Sequence, residues 1–256
     1  MTANNDSTAR VAFEPRGRLI DFHSHMLPAI DDGSRSTDES LEMLRLSVDA
    51  GVCAVILTPH FYATEDSPDV FLAHRARALE SLRNRIESPF PILLTGAEVF
   101  YFEGIVAMAE LEEMRIEKTR LLLLEMPFRR WQDRVIDDAL ILKERFGHRV
   151  VVAHVERYID EQPRGTLEVL RDNGLLIQSN AEFFLDRRTR RRALKMLAKG
   201  QIDLIGSDAH NTTSRPPNLG DAYSVIREEL GDRTANGLIE RGYRLLLEDA
   251  RASSAS

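Results

Sequence analysis

The chain is predicted to be an α/β protein in which seven strand-and-helix units roll into one parallel barrel. Three observations carry that expectation. Short apolar runs alternate with longer helical patterns along nearly all of the 256 residues. Most of the runs are continuously apolar, as strands covered on both faces are. No low-complexity linker, internal repeat or heptad array breaks the alternation, which favours a closed barrel over an open sheet, the alternative that the pattern leaves standing.

The first strand is read at "RLIDF" (18–22). The clearest helix follows in "STDESLEMLRLSVDAG": Ser36 and Glu39 fit a capping box, Leu41, Leu44 and Val48 make one apolar face, and Gly51 is a stop. Strand two is "CAVILT" (53–58), with a helix over 69–87, and strand three is "PILLTGA" (91–97). Strand four is "RLLLLEM" (120–126), with a helix over 132–146. Strands five, six and seven are "RVVVAH" (149–154), "LLIQSN" (175–180) and "IDLIGS" (202–207), followed by helices over 163–173, 188–199 and 219–230. A last helix is expected over 232–248. The domain reading is a polar tail over 1–17, one barrel over 18–248 and a frayed end over 249–256.

Composition narrows the function classes. At 43% hydrophobic and 29% charged, the chain can bury a substantial core. A net charge of -7 argues against nucleic acid as the partner. The single cysteine, Cys53, rules out an intrachain disulfide and, lying in an apolar run, reads as a buried, inert thiol. No apolar run approaches the ~18 residues of a membrane span, and the polar start lacks a signal core. The expectation is a cytoplasmic protein with no membrane insertion.

In a parallel barrel the active site lies at the carboxyl ends of the strands. Strand one ends in His23 and His25, strand two in His60, strand three in Glu98, strand four in Glu125 and strand five in His154. Strand six ends in Asn180, and strand seven in Asp208 and His210. His23 and His25 are two apart, which on a strand points both side chains the same way, and Asp208 and His210 repeat the spacing. Asp32 follows strand one in a loop able to fold over the mouth. His74 and His148, the other two of seven histidines, fall on a solvated helix face and in a turn before strand five.

Each of these residues alone has a plainer reading, as a hydrogen-bonded histidine or a carboxylate paired with an arginine. Together, so many carboxylates and imidazoles on one rim would pay a heavy desolvation and repulsion cost without cations, and divalent metals remove it. Five histidines and four carboxylates exceed what one ion needs and suit two or three ions with shared carboxylates and open positions. Imidazole with carboxylate, and no thiolate, suits manganese, iron or zinc better than calcium or magnesium. Three divalent ions against four carboxylates leave the site about +2, which invites an anion such as phosphate.

The set "DFHSH", "DDG", "TPH", "GAE", "HVERY" and "SDAH" resembles the polymerase and histidinol phosphatase (PHP) superfamily. Within it, "HMLPAIDDGSRSTDESLEML", "GAEVFY", "AHVERY" and "SDAHN" with "RPPNL" are similar to bacterial manganese-dependent protein-tyrosine phosphatases of capsular and exopolysaccharide operons. The resemblance covers about residues 18–245. It implies a distorted, TIM-like (β/α)7 barrel with a three-metal manganese centre, for which iron, zinc, cobalt or magnesium could substitute. It assigns His23, His25, Asp32, His60, Glu98, Glu125, His154, Asp208 and His210 as ligands, with Glu98 bridging. Arg157 and Arg215 are the implied phosphate-handling arginines, since a guanidinium fork can clamp phosphoryl oxygens; His210 or a water is the implied proton donor to the leaving group. Arg129, Arg130 and Arg134 are read as solvated. "TPHFY" places Phe61 and Tyr62 where some relatives carry a polar or basic residue, a departure that bears on substrate contacts.

The implied activity is phosphoric monoester hydrolysis on phosphotyrosine, with the tyrosine-rich tail of a bacterial tyrosine autokinase as partner and a homo-oligomer of unstated size. The alternatives are a phosphatase of a small metabolite such as histidinol phosphate, and a non-catalytic metal-binding regulator. An amidohydrolase also opens with "HxH" in a barrel, but Glu125 stands where those sites often carry a modified lysine. No C-x5-R loop surrounds Cys53, so cysteine-based phosphatase chemistry has no support. The run "RRTRRRAL" (187–194) reads as a solvated face, as basic runs commonly do.

Overall fold

A computed structural model describes residues 18–87 and 89–253. The tail expected over 1–17 and the last three residues lie outside the described residues. Every strand pairing among the described residues is parallel. The strands are β1 (Leu19–Ser24), β2 (Val52–Leu57), β3 (His60–Phe61), β4 (Ile92–Thr95), β5 (Glu98–Phe100), β6 (Leu121–Glu125), β7 (Arg149–Val152), β8 (Leu176–Asn180) and β9 (Leu204–Gly206). They pair as β1-β2-β4 and β3-β5-β6-β7-β8-β9.

The expected second and third strands are each broken in two. Pro59 has no N–H to give the ladder, so β2 stops before it and β3 resumes after it. Pairing carries across the break: the Gly96 amide donates to the Leu57 carbonyl at 2.9 Å and the Glu98 amide to the Pro59 carbonyl at 3.0 Å. Counted as staves the barrel therefore has seven, as the alternation implies. It closes where β9 meets β1: Ser24 bridges Ala209, the Asp208 amide donates to the His23 carbonyl at 2.8 Å, and the His25 amide donates to the Ala209 carbonyl at 2.9 Å. The buried Asp21 carboxylate accepts from the Ser207 amide at 2.7 Å and ties the same two staves.

The helices lie between staves. They are α1 (Thr37–Asp49), α2 (Pro68–Arg83), α3 (Leu111–Met114), α4 (Asp133–Phe146), α5 (Thr166–Asp172), α6 (Glu182–Leu185), α7 (Arg190–Ala198), α8 (Leu219–Leu230) and α9 (Asp232–Ser253). α1 buries Leu41, Met43 and Leu44, and Ser36 caps it by accepting from the Glu39 amide at 3.2 Å. The capping box is only half formed, because Glu39 accepts from the Arg35 amide and guanidinium rather than reaching back to Ser36. α3, and a single 3-10 turn over Ile105–Ala107, supply the crossover after β5, where the sequence pattern offers no helix. α9 continues five residues past its expected end, since Glu248–Ser253 contains no glycine or proline to stop it.

β1, β6 and β8 are buried along their whole length, as strands covered on both faces require. Cys53 is half-buried rather than fully enclosed, and its Sγ lies 2.9 Å from the Tyr243 hydroxyl. At the amino end of the barrel, buried Asp203 pairs with Arg241 at 2.5 Å and Arg171 at 3.4 Å and accepts from the Ile177 amide at 2.8 Å. No helix among the described residues is long and apolar enough to cross a membrane.

Candidate metal centre

Register delivers the ligand-type residues to one rim. His60 and Glu98 are partners in the β3–β5 pairing, and Phe100 and Glu125 in the β5–β6 pairing. The Ser24–Ala209 bridge sets His23 and His25 beside Asp208 and His210. All nine candidate ligands meet there. Potential donor atoms gather within 4.8 Å of one another in four overlapping groups: His25, Asp32, His60 and His210; His23, Glu98 and His154; His23, His25 and Asp208; His60, Glu98 and Glu125. His23, His25, His60 and Glu98 each recur, so the groups form one continuous cluster, in which the Glu98 carboxylate is the recurring group with two oxygens to share.

Three of the imidazoles have their inward nitrogen fixed by what the other nitrogen touches. His25 Nδ1 lies 2.7 Å from the Asp31 carboxylate, an acceptor only, so it carries the proton and Nε2 presents its lone pair inward. His210 Nδ1 donates likewise to the Asp208 carbonyl at 2.9 Å. His23 Nδ1 lies 3.4 Å from Gln178 Oε1, which also accepts from the His154 amide at 2.6 Å. His23 Nε2 and His25 Nε2 lie 3.0 Å apart, a separation that a proton or a metal ion between the two nitrogens would hold.

Glu98 is the hub. Its Oε1 lies 2.6 Å from His154 Nε2, and its Oε2 lies 3.1 Å from His23 Nε2, 3.3 Å from His25 Nε2 and 3.0 Å from His60 Nδ1. Yet Glu98 Oε2 makes no hydrogen bond, and neither do the buried His60 Nδ1 and His210 Nε2. Buried polar atoms left unpaired on one point, all of them donors suited to a divalent ion, fit a metal centre.

Electrostatics points the same way. Burial would raise the Glu98 carboxyl, but His23 and His154 overcome it and hold it well below the usual carboxylate range. Burial opposes and His23, His25 and Arg157 win at Asp208, which is also held low. Asp31 is pulled down to about 2, His25 outweighing its burial. His154 is lifted to about 9, since Glu98 and Glu125 outweigh its desolvation. Glu98, Asp208 and Asp31 are thus kept charged, and the site is built to hold positive charge.

Two backbone features differ from simple strand ends. His154 (φ 25°) and Asp208 (φ 54°) lie in the left-handed region, so Asp208 and His210 converge through a turn and not through strand alternation. Such conformations cost about 1–3 kcal/mol each in a non-glycine residue, and they sit on candidate ligands. Asp32, whose side chain is 67% exposed, closes the outer face at 3.3 Å from His210 Nε2 and 3.5 Å from His60 Nε2. Its neighbour Asp31, which sequence reasoning passed over, is the buried one and also accepts from the His60 amide at 3.0 Å. Gln178 and Asn180, spaced two apart at the end of β8, were legible by the same rule that marked His23 and His25.

Arg157 and Arg215 reach the rim from the β7 and β9 loops and converge on Asp208 Oδ2, Arg215 at 2.6 Å. Asn180 Nδ2 donates to the same oxygen at 2.6 Å. Arg157, Arg215, Asp208 and Asn180 border a cavity of about 370 Å³ that opens to solvent. Arg129, Arg130 and Arg134 are exposed, as expected, and so is His74; His148 is buried against Arg115.

A family model described as capsular polysaccharide synthesis, CpsB/CapC, matches residues 19–247. The chain is 31% identical over 243 residues to the tyrosine-protein phosphatase YwqE of Bacillus subtilis, covering 89% of this chain and 91% of that one. It is 27% identical over 245 residues to the tyrosine-protein phosphatase CpsB of Streptococcus agalactiae, covering 90% and 99%. Among solved structures it is similar to one described under YwqE from Bacillus subtilis and CpsB from Streptococcus pneumoniae, metal-dependent tyrosine phosphatases. That likeness has a TM-score of 0.77 and 26% identity over 89% of this chain and 94% of the other. A D-hydantoinase, at TM-score 0.52 and 13% identity over 86% of this chain and 67% of the other, shares the fold alone.

Proposed function

The chain belongs to the capsular polysaccharide synthesis CpsB/CapC family, and we propose that it is a metal-dependent phosphatase hydrolysing phosphotyrosine monoesters in protein. The observation that carries the reading is the inward set of lone-pair nitrogens, His23, His25 and His210, gathered with Glu98 and Asp208 beside two arginines. His23, His25, Asp32, His60, Glu98, Glu125, His154, Asp208 and His210 would hold the ions, three in number, with manganese the favoured metal and iron, zinc, cobalt or magnesium able to replace it. Ions so held supply Lewis-acid polarisation of the phosphoryl group and an activated water nucleophile.

The chain's own side chains do the rest. Arg157 and Arg215 swing from Asp208 to the phosphoryl oxygens, bind the dianion and stabilise the charge that develops as the bond to the leaving oxygen breaks. Asp208, itself held by the Asn180 amide, keeps the two guanidinium groups at the cavity until the phosphate arrives. His210 serves as a ligand: with its proton on Nδ1 facing the Asp208 carbonyl, Nε2 has none to give. A phenolate leaves with less proton help than an alkoxide, which suits this arrangement to tyrosine phosphate.

The substrate we assign is the tyrosine-rich tail of a bacterial tyrosine autokinase that controls capsular or exopolysaccharide synthesis. Its need for ATP places the reaction in the cytoplasm. A homo-oligomer is part of the same reading, and light scattering on the full chain counts its subunits.

The test is hydrolysis of a phosphotyrosine peptide beside histidinol phosphate, with and without manganese, in the wild type and in His23→Ala. Manganese-dependent turnover that favours the peptide and disappears in His23→Ala is the expected result. Preference for histidinol phosphate would move the function to small-metabolite chemistry, and absence of turnover on both would leave a metal-binding regulator.

A further inference from the structure

The mouth of the site is polarised. Arg157 and Arg215 occupy the side over Asp208, while the side over Glu98, Glu125 and His154 is aromatic. Phe128, three residues past Glu125, is 54% exposed, the most exposed large apolar side chain among the described residues. Its ring lies nearly parallel to that of the candidate ligand His154, at 6.2 Å and 17°, and against Tyr158 at 5.8 Å and 60°. On the same rim Tyr62 stacks on the candidate ligand His60 at 5.2 Å and 26° and meets Phe100 at 5.7 Å. Phe100 and Phe128 line one cavity of about 430 Å³, within the roughly 300–1,000 Å³ range of small-molecule sites.

A phenylalanine held on a ligand ring with half its surface in water gains little for folding, because its exposed face buries nothing. It gains a purpose if an aromatic group covers that face while a phosphate occupies the ions. We propose that Phe128, with Phe100 beside it and Tyr62 against Phe100, forms the seat for the phenyl ring of the substrate, and so selects aryl over alkyl phosphomonoesters. The inference rests on the phosphotyrosine reading and assigns its ring-binding half. The ring would enter on the aromatic side with its phosphate toward Arg157 and Arg215. Offset or tilted ring pairs with centroids about 4.5–7 Å apart are the favourable geometry, and the rings already lining the mouth are spaced within that range.

The experiment compares the wild type with Phe128→Ala and Phe128→Tyr, each purified with its metals. Phe128→Ala should lower kcat/KM on phosphotyrosine about tenfold, mostly through KM, while phosphoserine turnover stays within twofold; Phe128→Tyr should restore the wild-type value. Because aryl esters are intrinsically more reactive, the decisive quantity is the variant-to-wild-type ratio on each substrate. Calorimetric binding of phenylphosphonate and methylphosphonate reads the seat without turnover. Phenylphosphonate should weaken in Phe128→Ala by the same factor and methylphosphonate should not. Equal losses on both substrates, or unchanged phenylphosphonate binding, would overturn the proposal. If the wild type fails to hydrolyse phosphotyrosine, the functional reading falls, and the phosphonate pair still decides whether the seat exists.

Discussion

Asp31 and His25 show how single residues set the chemistry. The Asp31 carboxylate accepts a hydrogen bond from His25 Nδ1 at 2.7 Å, and the same carboxylate accepts from the Gly33 and His60 amides at 3.0 Å. Removing such an outer partner typically costs about 10–100-fold in metal affinity. Asp31→Asn should therefore weaken manganese binding by that order in a competition titration with a chelator, with the fold intact by circular dichroism; wild-type affinity would refute the role. A second residue acts far from the site. His148 is buried and accepts from Arg115 Nε at 2.8 Å; burial and that guanidinium push its pKa from 6.5 down to about 4. The unfolded chain therefore binds a proton near pH 6.5 that the folded chain refuses until about pH 4. The stability this group contributes is present above 6.5 and lost as pH falls across that window. His148→Gln should flatten that part of the urea-midpoint profile, and an unchanged slope would contradict the assignment. At this scale the sequence was legible where residue type and strand position agreed, as at His23 or Glu98. It was silent on which of Asp31 and Asp32 turns inward, because adjacent carboxylates share one local pattern and only tertiary packing separates them.

At the scale of elements, the closure of β9 on β1 is the demanding contact. A Cβ on Gly206 would lie 2.4 Å from His23 Cβ and 2.8 Å from the His23 amide nitrogen, so the two staves can approach only because this residue has no side chain. Gly206→Ala must push β9 from β1, and overpacking of this kind costs about 1–3 kcal/mol. We expect a lower Tm together with loss of metal capacity, since His23 moves with the contact; an unchanged Tm would show that the staves have slack. The seven staves were readable as apolar runs, because burial on both faces removes polar residues from them. The breaks at Pro59 and between β4 and β5 were not, since a two-residue strand held by its neighbours leaves no periodicity. α3, four residues long, escaped for the same reason.

Over the whole molecule, a negatively charged chain concentrates imidazoles, carboxylates and two arginines at one end of its barrel and a buried ionic cluster around Asp203 at the other. The carboxyl end carries the residues that the proposed function uses, and that account depends on ions that the nine candidate ligands would hold. The direct measurement is to strip the purified full-length protein with a chelator, confirm its metal content by mass spectrometry, and follow phosphotyrosine-peptide hydrolysis before stripping, after it, and after manganese is returned. The account predicts three ions per chain in the active protein, loss of turnover when they are removed, and recovery with manganese. Undiminished hydrolysis by the stripped protein would contradict it.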